Sequence, residues 1–365
     1  MSAPRLEVDL DKIRHNTTTL VRLLAEQDIS VTGVTKAVLG SPEIARVMLV
    51  SGVAGLGDSR IENLQRMRRS GIDAPMTLIR SPMISQVEDV VATADISFNT
   101  EIAVIEALST VAEETDNSHG VVLMVELGDL REGIMPDDVM GAARETLNFP
   151  GIELVGIGTN LACQSGVVPD AQKMGELSAM AVELEHEFGI GIKTVSGGNS
   201  GNVPWVFSKA PSGRINDLRL GESILLGREP LHRQPIAGLH TDAIQLVGEV
   251  IEIKDKPIRP WGELAETAFG EIAPEEGSGH ISQAILAIGR QDIDPSGLGL
   301  PDGMTICGAS SDHLVVNAAG NRLAIGGEIS CTLNYSALLR ATTSPFVTTT
   351  TKCSLASSPP KLYAV

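Results

Sequence analysis

Lys36 is the residue whose type and position most directly suggest chemistry. It lies at the end of the run VTGVTKA (residues 31–37), which begins as an apolar, β-rich strand and stops on a positive charge. An amine at the carboxyl end of a buried strand suits a nucleophile that forms a Schiff base with a carbonyl compound. The alternative is an ordinary surface lysine at a strand end, and the rest of the chain has to decide between the two.

A glycine-rich turn further along the chain is suited to an anion. The sequence SGGNSGN (residues 196–202) follows the seventh of eight strand-like runs, which is where barrel enzymes commonly bind phosphate. Backbone N–H groups of such a turn can approach an anion closely, and Asn199 and Ser200 add side-chain donors. Considered alone, the same turn is also consistent with a simple reversal of the chain.

Two arginines are expected near the same place. Arg219 lies in the eighth run, two residues before Gly221, and Arg131 follows the fifth. Arg219 could instead form a salt bridge that closes a barrel. If both arginines and the glycine-rich turn converge on Lys36, they fit a phosphorylated aldehyde held as an imine, for which pyridoxal phosphate is the candidate.

The elements that would position these residues alternate regularly between residue 30 and about residue 227. Eight strand-like runs alternate with helical patterns, which predicts a parallel sheet closed into a (β/α)8 TIM-type barrel. The candidate strands are Ser30–Lys36, Val53–Gly57, Met76–Arg80, Asp95–Asn99, Val121–Leu127, Glu153–Asn160, Lys193–Ser196 and Asp217–Gly221. The candidate helices are Pro42–Ser51, Ser59–Ser70, Thr100–Glu114, Pro136–Leu147 and Ala171–Phe188.

After Gly227 the pattern changes to short alternating runs separated by Gly and Pro, which is typical of an all-β module. We assign residues 1–230 to the barrel, although its first strand at about 5–10 is also compatible with the β module. Residues 231–341 form the C-terminal all-β domain, and residues 342–365 form a flexible tail rich in Thr, Ser, Pro and Lys. The candidate strands of the domain are Ala243–Glu252, Ile281–Ile288, Thr305–Cys307, His313–Val316, Arg322–Ile325 and Glu328–Tyr335.

Composition excludes several classes of protein. The 365 residues carry a formal net charge of −18, whereas nucleic-acid binding needs clustered Lys and Arg. The four cysteines form no CxxC pair, so neither a metal site nor a disulfide framework is predicted. There is no apolar run of about 18 residues and no signal-peptide pattern at the N-terminus. We therefore expect a cytoplasmic protein without a membrane segment.

The segment EVDLDKIRHN (residues 7–16), followed by Lys36-Ala37, resembles the alanine-racemase-type (fold type III) pyridoxal-phosphate enzymes. The resemblance covers about residues 5–345 and implies a barrel followed by a β-domain. It extends to the ornithine-racemase-like branch of that family through DSR (58–60), GDLREG (128–133), SGGNS (196–200), LRLGES (218–223), GASSDHL (308–314) and YSALL (335–339).

The resemblance implies a role for each matching residue. Lys36 would form the internal aldimine and move one α-proton, and Arg219 would face the pyridine nitrogen. Because a guanidinium does not give up its proton, the ring would stay unprotonated and be a weaker electron sink. Arg131 would lie near the phenolic oxygen of the cofactor and the substrate carboxylate. The matching phosphate-binding positions are Gly198, Asn199, Ser200, Gly221 and Tyr335.

This chain also departs from the family pattern. Phe269 stands where the family has the tyrosine that acts on the opposite face, and Met124 replaces a lysine that is usual before the arginine. The segment after Lys36-Ala37 lacks a phosphate-contacting tyrosine. A carbamylated-lysine bridge is therefore not expected, and the second acid–base group has to be another residue.

The candidates for that second group are Asp312 with His313, Cys163, and Asp292. We prefer the Asp312–His313 pair, because histidine titrates near neutral pH and carboxylates commonly orient it. The pair could equally form a structural hydrogen bond or bind the side-chain amine of a basic substrate. Cys163 has a second interpretation, a small buried apolar side chain.

The resulting prediction is a racemase that uses pyridoxal phosphate on a basic amino acid such as ornithine. By resemblance it would be a head-to-tail homodimer in which the β-domain of one subunit covers the barrel mouth of the other. Two alternatives remain. One is a D-amino-acid aldolase or dehydratase of the same fold type, which would generally recruit a metal ion. The other is a non-catalytic pyridoxal-phosphate carrier, which the missing tyrosine favours.

Overall fold

The chain folds into two compact units, as seen in a computed structural model that describes residues 2–270 and 278–353. The barrel unit is Lys12–His240, and the sheet unit is Met1–Asp11 together with Thr241–Val365. The first two elements are β1 (Arg5–Asp9) and α1 (Leu10–Ala25). The boundary after His240 lies later in the chain than the predicted one after residue 230, and β1 belongs to the sheet unit.

The barrel unit contains a closed barrel of eight parallel strands, so the predicted (β/α)8 fold is confirmed. Each strand pairs with the next along the chain, and the last pairs with the first. All residues of the strand at 119–125 are buried, as expected for a parallel sheet covered on both faces. The strands are β2 (Ser30–Val34), β3 (Gly55–Asp58), β4 (Met76–Leu78), β5 (Ile96–Asn99), β6 (His119–Val125), β7 (Ile152–Thr159), β8 (Thr194–Asn199) and β9 (Asp217–Leu220).

Helices follow the barrel strands, and several have clear local start and stop signals. The helix at 42–50 begins with Pro42 after the capping residue Ser41, and the helix at 171–188 begins after Asp170 and ends at Gly189 in the left-handed region. The helices are α2 (Pro42–Val50), α3 (Ile61–Arg69), α4 (Val87–Thr93), α5 (Ile102–Glu114), α6 (Val139–Thr146), α7 (Ala171–Phe188), α8 (Val203–Phe207) and α9 (Glu222–Leu226).

The sheet unit is built on a mainly antiparallel sheet with the strand order β12-β15-β10-β11-β14-β13. β1 pairs antiparallel with β10 and parallel with β16, and one helix follows β15. These elements are β10 (Ile244–Pro257), β11 (His280–Leu286), β12 (Leu298–Gly299), β13 (Thr305–Ala309), β14 (Leu314–Asn317), β15 (Glu328–Leu333), α10 (Tyr335–Thr343) and β16 (Thr348–Lys352).

Two details of the sheet unit differ from the sequence-based expectations. Residues 322–325 form a loop instead of a strand, and Ile325 is 64% exposed there. Part of the predicted flexible tail is a strand, because the threonine-rich β16 pairs along the whole of β1 and threonine suits a pleated sheet. Residues 354–365 of the predicted tail lie outside the described residues.

The contact between β7 and β8 allows a test of the barrel. Gly156 on β7 packs so closely on β8 that an added Cβ would lie 2.2 Å from the carbonyl oxygen of Thr194. Gly156→Ala should therefore lower the free energy of unfolding by about 2–3 kcal/mol. In the control Gly175→Ala, on α7, the new Cβ has no atom within 4 Å, and the free energy should rise by about 0.5–1 kcal/mol. Urea unfolding measures both, and equal stability of the two variants would contradict this packing.

Candidate active site

Lys36 lies just beyond the end of β2, where the chain turns. The strand ends at Val34, and Lys36 opens a single turn of 3-10 helix. Thr35 holds the backbone in place, since its N–H donates to the carbonyl oxygen of Gly57 at 3.0 Å and its hydroxyl donates to Asp58 at 2.8 Å. The lysine is thus attached to a rigid part of the barrel.

Asp58 is a buried carboxylate that the sequence analysis noted only as part of a motif. Besides Thr35, it accepts hydrogen bonds from the backbone of Arg60 at 3.0 Å and from the side chain of Asn63 at 2.9 Å. Burial raises its pKa, and these hydrogen bonds oppose that rise. Because several donors favour its charged form, Asp58 can supply a negative charge on the Lys36 side of the mouth.

The environment of Lys36 favours the neutral amine. Burial is the largest cause that lowers its pKa, and the positive charges of Arg131 and Arg219 lower it further. The charges of Cys163 and Asp58 act in the opposite direction. A lysine with a lowered pKa is a better nucleophile and base near neutral pH. The structure thus brings both predicted arginines into electrostatic range of the lysine.

Arg219 is buried, with 5% of its surface exposed. Its guanidinium donates to the carbonyl oxygen of Thr159 at 2.7 Å and to the hydroxyl of Ser196 at 2.5 Å, and it stacks on Phe98 at 5.0 Å. Burial lowers its pKa, but an arginine stays protonated in proteins. Arg219 therefore places a permanent positive charge inside the mouth of the barrel.

A buried carboxylate balances that charge through an intermediate hydroxyl. Ser196 accepts from Arg219 and donates to Asp217, while Thr32 donates to the same carboxylate at 2.7 Å. Burial raises the pKa of Asp217, and the hydrogen bond from Ser196 and the charge of Arg219 oppose this. The salt bridge expected as the alternative role of Arg219 thus takes the form of a relay through Ser196.

Arg131 projects from a loop that a second carboxylate shapes. Glu126 accepts hydrogen bonds from the backbone of Gly128 at 2.5 Å and of Arg131 at 3.2 Å. The guanidinium pairs with Glu132, which is the main cause that raises the pKa of Arg131, with a smaller contribution from Cys163. Arg131 is therefore held beside Cys163 as well as within range of Lys36.

Asp129 joins this loop to the one that follows β7. Its carboxylate accepts hydrogen bonds from the backbone N–H groups of Cys163 at 3.1 Å, Gln164 at 2.8 Å and Ser165 at 3.1 Å, with a longer one from Val167 at 3.4 Å. Burial alone would raise its pKa, but the four hydrogen bonds outweigh it and the pKa is lowered. The motif at 128–133 includes Asp129, but its role could not be predicted from the sequence, because its partners lie more than 30 positions away.

The glycine-rich turn has the expected tight geometry. Gly198 adopts a φ of 144°, and an added Cβ would lie 2.1 Å from the side-chain oxygen of Asn202. Asn199 accepts from the N–H of Gly201 at 2.7 Å, and the hydroxyl groups of Ser200 and Ser223 lie 3.0 Å apart. The Ser200 hydroxyl, expected as a donor to phosphate, thus already links this turn to α9.

Cys163 is exposed, so its interpretation as a small buried apolar side chain is wrong. The side chain of Asn199 donates to its sulfur at 3.5 Å and to the side-chain oxygen of Asn160 at 3.0 Å. The amide nitrogen of Asn160 is buried and has no hydrogen-bond partner among the described residues. This side of the mouth therefore has a donor that a bound ligand could use.

Glu222 follows Gly221 at the start of α9 and is a further titratable group that the sequence analysis did not single out. It is half-buried, and burial raises its pKa to about 7. The charges of Arg233 and Lys36 oppose this shift, and that of Glu229 adds to it. Glu222 thus titrates near neutral pH within range of Lys36.

The other predicted site residues belong to the sheet unit. Asp312 and His313 are exposed and form a hydrogen bond of 2.8 Å, which is the main cause that lowers the pKa of Asp312. Tyr335 begins α10. Phe269 is 52% exposed and Arg290 stacks on it at 5.0 Å. The roles of Asp312, His313 and Tyr335 stay predictions.

Asp292 has a structural role. It is buried and accepts hydrogen bonds from the backbone of Gly289 at 3.1 Å and from the hydroxyl of Ser344 at 2.8 Å. Across residues 2–270 and 278–353, no three His, Cys, Asp or Glu side chains are grouped so as to hold a metal ion. In the same residues, no helix is both long and apolar enough to cross a membrane.

Comparison with known proteins gives one family and several relatives. Residues 8–229 match the family described as alanine racemase, N-terminal domain. Ornithine racemase of Acetoanaerobium sticklandii is 37% identical over 350 residues, which cover 94% of this chain and 98% of that protein. Lysine racemase of Thermotoga maritima is 35% identical over 353 residues, which cover 95% of this chain and 98% of that protein.

The solved structures support the two-part fold. Alanine racemase from Streptomyces coelicolor A3(2) is similar with a TM-score of 0.75, and the match covers 95% of this chain and 97% of that one. The sequence identity is 17%, so this likeness concerns the fold alone.

The hydrogen bonds to Asp129 give a stability prediction. Asp129→Asn should lower the free energy of unfolding at pH 7 by about 1–3 kcal/mol, because the four backbone donors lose a charged acceptor. The pKa of Asp129 is lowered in the folded state. The difference in unfolding free energy between the wild type and Asp129→Asn should therefore shrink as pH falls below about 4, where the carboxylate becomes protonated. The control Asp170→Asn keeps its capping bond to the backbone of Lys173 and should be nearly neutral. Chemical unfolding checks both, and equal losses in the two variants would contradict the assignment.

Glu222 predicts a dependence of stability on pH. Its pKa is about 7 in the folded state and 4.5 ordinarily, so the folded state retains a proton that the unfolded state loses, and stability falls as pH rises between these values. In cofactor-free protein, Glu222→Gln should match the wild type near pH 4 and exceed its unfolding free energy by about 1–3 kcal/mol at pH 8. The control Glu183→Gln, at an exposed position of α7, should change the free energy of unfolding by less than about 0.5 kcal/mol. A constant difference across this range would contradict the prediction.

Proposed function

Since the chain is an amino-acid racemase of the alanine racemase family, we propose that it interconverts the L- and D-forms of a basic amino acid with pyridoxal phosphate as its cofactor. The observation that carries the substrate class is the similarity, over nearly the whole chain, to ornithine racemase and lysine racemase. Ornithine and lysine both end in a side-chain amine, so the proposal specifies a second positive charge on the substrate.

The residues at the barrel mouth fit the proposed cofactor. Two permanently positive side chains, Arg131 and Arg219, lie within electrostatic range of the Lys36 amine, which suits a phosphorylated anion. The unpartnered amide nitrogen of Asn160 adds an unused donor. When bound, pyridoxal phosphate would supply a carbonyl group that takes up the substrate amine and a ring that withdraws electrons from the α-carbon.

Each binding residue then has a specific task. Lys36 would attach the cofactor through its amine, and Arg219 would present an N–H donor to the ring nitrogen without releasing its proton. Arg131 would bind the substrate carboxylate, for which a guanidinium is well suited. The phosphate would be held by the turn and strand end formed by Gly198, Asn199, Ser200 and Gly221, and by Tyr335.

Proton transfer needs a group on each side of the α-carbon. Lys36 would remove or return the proton on one side, and its lowered pKa makes the neutral amine available for this step. The sequence-based candidates for the other side are Asp312 and His313. Because Asp312 is acidic, the same pair would also suit binding of the side-chain ammonium group of the substrate.

We further propose a homodimer and a cytoplasmic location. In such a dimer the β-domain of one subunit would cover the barrel mouth of the other and could contribute a residue to it. This would explain why a racemase with one strong base in its barrel carries a complete β-domain. Size-exclusion chromatography with light scattering should therefore give about twice the 38.4 kDa mass of the chain.

The proposed activity has a direct test. Purified protein with pyridoxal phosphate should racemise L-ornithine or L-lysine with a kcat/KM at least about tenfold above that for L-alanine. Lys36→Ala should lower this activity by more than about 10³-fold. Borohydride treatment of the wild type should leave a pyridoxyl group on Lys36, detected by peptide mass spectrometry.

The same measurements separate the alternatives. Bound cofactor without racemisation of any common amino acid would favour the carrier, which the phenylalanine at position 269 suggests. Turnover that requires an added divalent metal and cleaves or dehydrates the substrate would favour the aldolase or dehydratase. The control Lys173→Ala removes a lysine whose amine donates to the carbonyl oxygen of Leu127 at 2.7 Å, and it should not prevent borohydride labelling of Lys36.

A further inference from the structure

We propose that Cys163 is the second proton-transfer group of the racemase, acting on the side of the α-carbon opposite Lys36 and in place of the Asp312–His313 pair. This inference rests on the proposed function, because inversion at a planar carbon needs an acid–base group on each side. It identifies a catalytic residue within the barrel unit itself.

The positions of the two residues around the barrel support opposite approaches. Lys36 follows β2, and Cys163 follows β7. In the closed ring of eight strands, β8 and β9 separate β7 from β2. Both residues lie beyond the carboxyl ends of their strands and within electrostatic range of each other, so they are attached at well-separated points around the rim of the same mouth.

The sulfur of Cys163 is held in place instead of moving with a free loop. Asp129 binds the N–H of Cys163 at 3.1 Å and that of the next residue at 2.8 Å. The amide of Asn199 donates to the sulfur at 3.5 Å. A proton-transfer group has to be positioned within about 0.5 Å of its productive geometry, and these contacts restrain the sulfur.

The charges around Cys163 suit a thiol that exchanges a proton. A negative charge on its sulfur raises the pKa of Lys36 and also that of Arg131, so the sulfur lies within electrostatic range of both side chains. A cysteine sulfur can both donate and accept a proton, and the guanidinium of Arg131 would stabilise the negative charge that remains when the thiol donates. The exposed sulfur can also exchange its proton with solvent between turnovers.

Two other observations argue against a merely structural cysteine. The side chain is exposed and unbridged, so it contributes neither to core packing nor to a disulfide. On the same side of the mouth, the amide nitrogen of Asn160 is buried without a partner among the described residues. A ligand is thus expected on the side where the sulfur lies.

In each direction one proton leaves the α-carbon and one proton is added to it. In one direction, the neutral amine of Lys36 takes the α-proton and the thiol of Cys163 delivers its own proton to the other side of the same carbon. In the reverse direction, the thiolate accepts the α-proton and the ammonium group of Lys36 delivers one. No electrons are gained or lost, and solvent restores both groups.

The test compares inversion with isotope exchange for each enantiomer. Cys163→Ala and Cys163→Ser, assayed as cofactor-loaded enzyme with α-deuterated L- and D-ornithine and lysine, should lose racemisation by about 10²–10⁴-fold. Because Lys36 remains, one enantiomer should still exchange its α-deuterium within a few-fold of the wild-type rate, while the other should not. The control Cys353→Ala should racemise normally, His313→Ala is assayed in parallel as the variant of the alternative base, and thermal unfolding should show that all variants are folded.

A second measurement uses protein without cofactor. Iodoacetamide should alkylate the exposed Cys163 faster than the buried Cys331 of the same molecule, as followed by peptide mass spectrometry. In Arg131→Gln the alkylation rate of Cys163 at pH 7 should fall several-fold, because the variant removes a positive neighbour of the sulfur. An unchanged rate in this variant would overturn the electrostatic basis of the proposal.

The results distinguish failure of the role assigned to Cys163 from failure of the proposed racemase activity. Normal racemisation by Cys163→Ala would overturn the role of the thiol, and an enantiomer-specific loss of exchange in His313→Ala would assign that role to the pair instead. A wild-type enzyme that neither racemises any common amino acid nor exchanges its α-hydrogen would overturn the proposed function itself. Results on the cysteine variants alone cannot overturn that function.

Discussion

A positive charge buried inside the barrel mouth is the constraint on which the rest of the site depends. Arg219 cannot shed its proton, and an uncompensated buried charge would cost several kcal/mol. The guanidinium of Arg219 donates to a carbonyl on β7 and a hydroxyl on β8, and it stacks on the ring of Phe98 on β5. The β8 hydroxyl, that of Ser196, donates in turn to the carboxylate of Asp217, to which Thr32 on β2 also donates. One guanidinium thus fixes the relative positions of several strands around the mouth.

The same charge explains the chemistry of its surroundings. Burial, and after it the charges of Arg131 and Arg219, lower the pKa of Lys36 towards the neutral amine, while Cys163 and Asp58 limit the effect. In the cofactor-free mouth Arg131 pairs with Glu132 and Arg219 is linked to Asp217 through Ser196, and an anionic phosphate and a substrate carboxylate would be attracted to the same two guanidinium groups. Binding and reactivity are coupled here, because the groups that attract the anions also set the protonation of the amine that has to react.

The sequence predicted the barrel well because all eight strands are short apolar runs that alternate with helical patterns. It also located Lys36, Arg131 and Arg219, since residues at the carboxyl ends of parallel strands meet at one edge. The roles of Asp58, Asp129 and Glu222 were not predicted, because their environments come from distant segments. β16 was missed because its threonines resemble a polar linker until β1 provides an edge for pairing.

Asp129 has a consequence for engineering this enzyme. Its carboxylate, which belongs to the loop after β6, is the common acceptor for the backbone of the loop after β7. The two loops are therefore a single module, and transplanting one without the other would leave either an unsatisfied carboxylate or a set of unpaired amides. Libraries that aim to alter specificity should exchange 126–133 and 161–167 together.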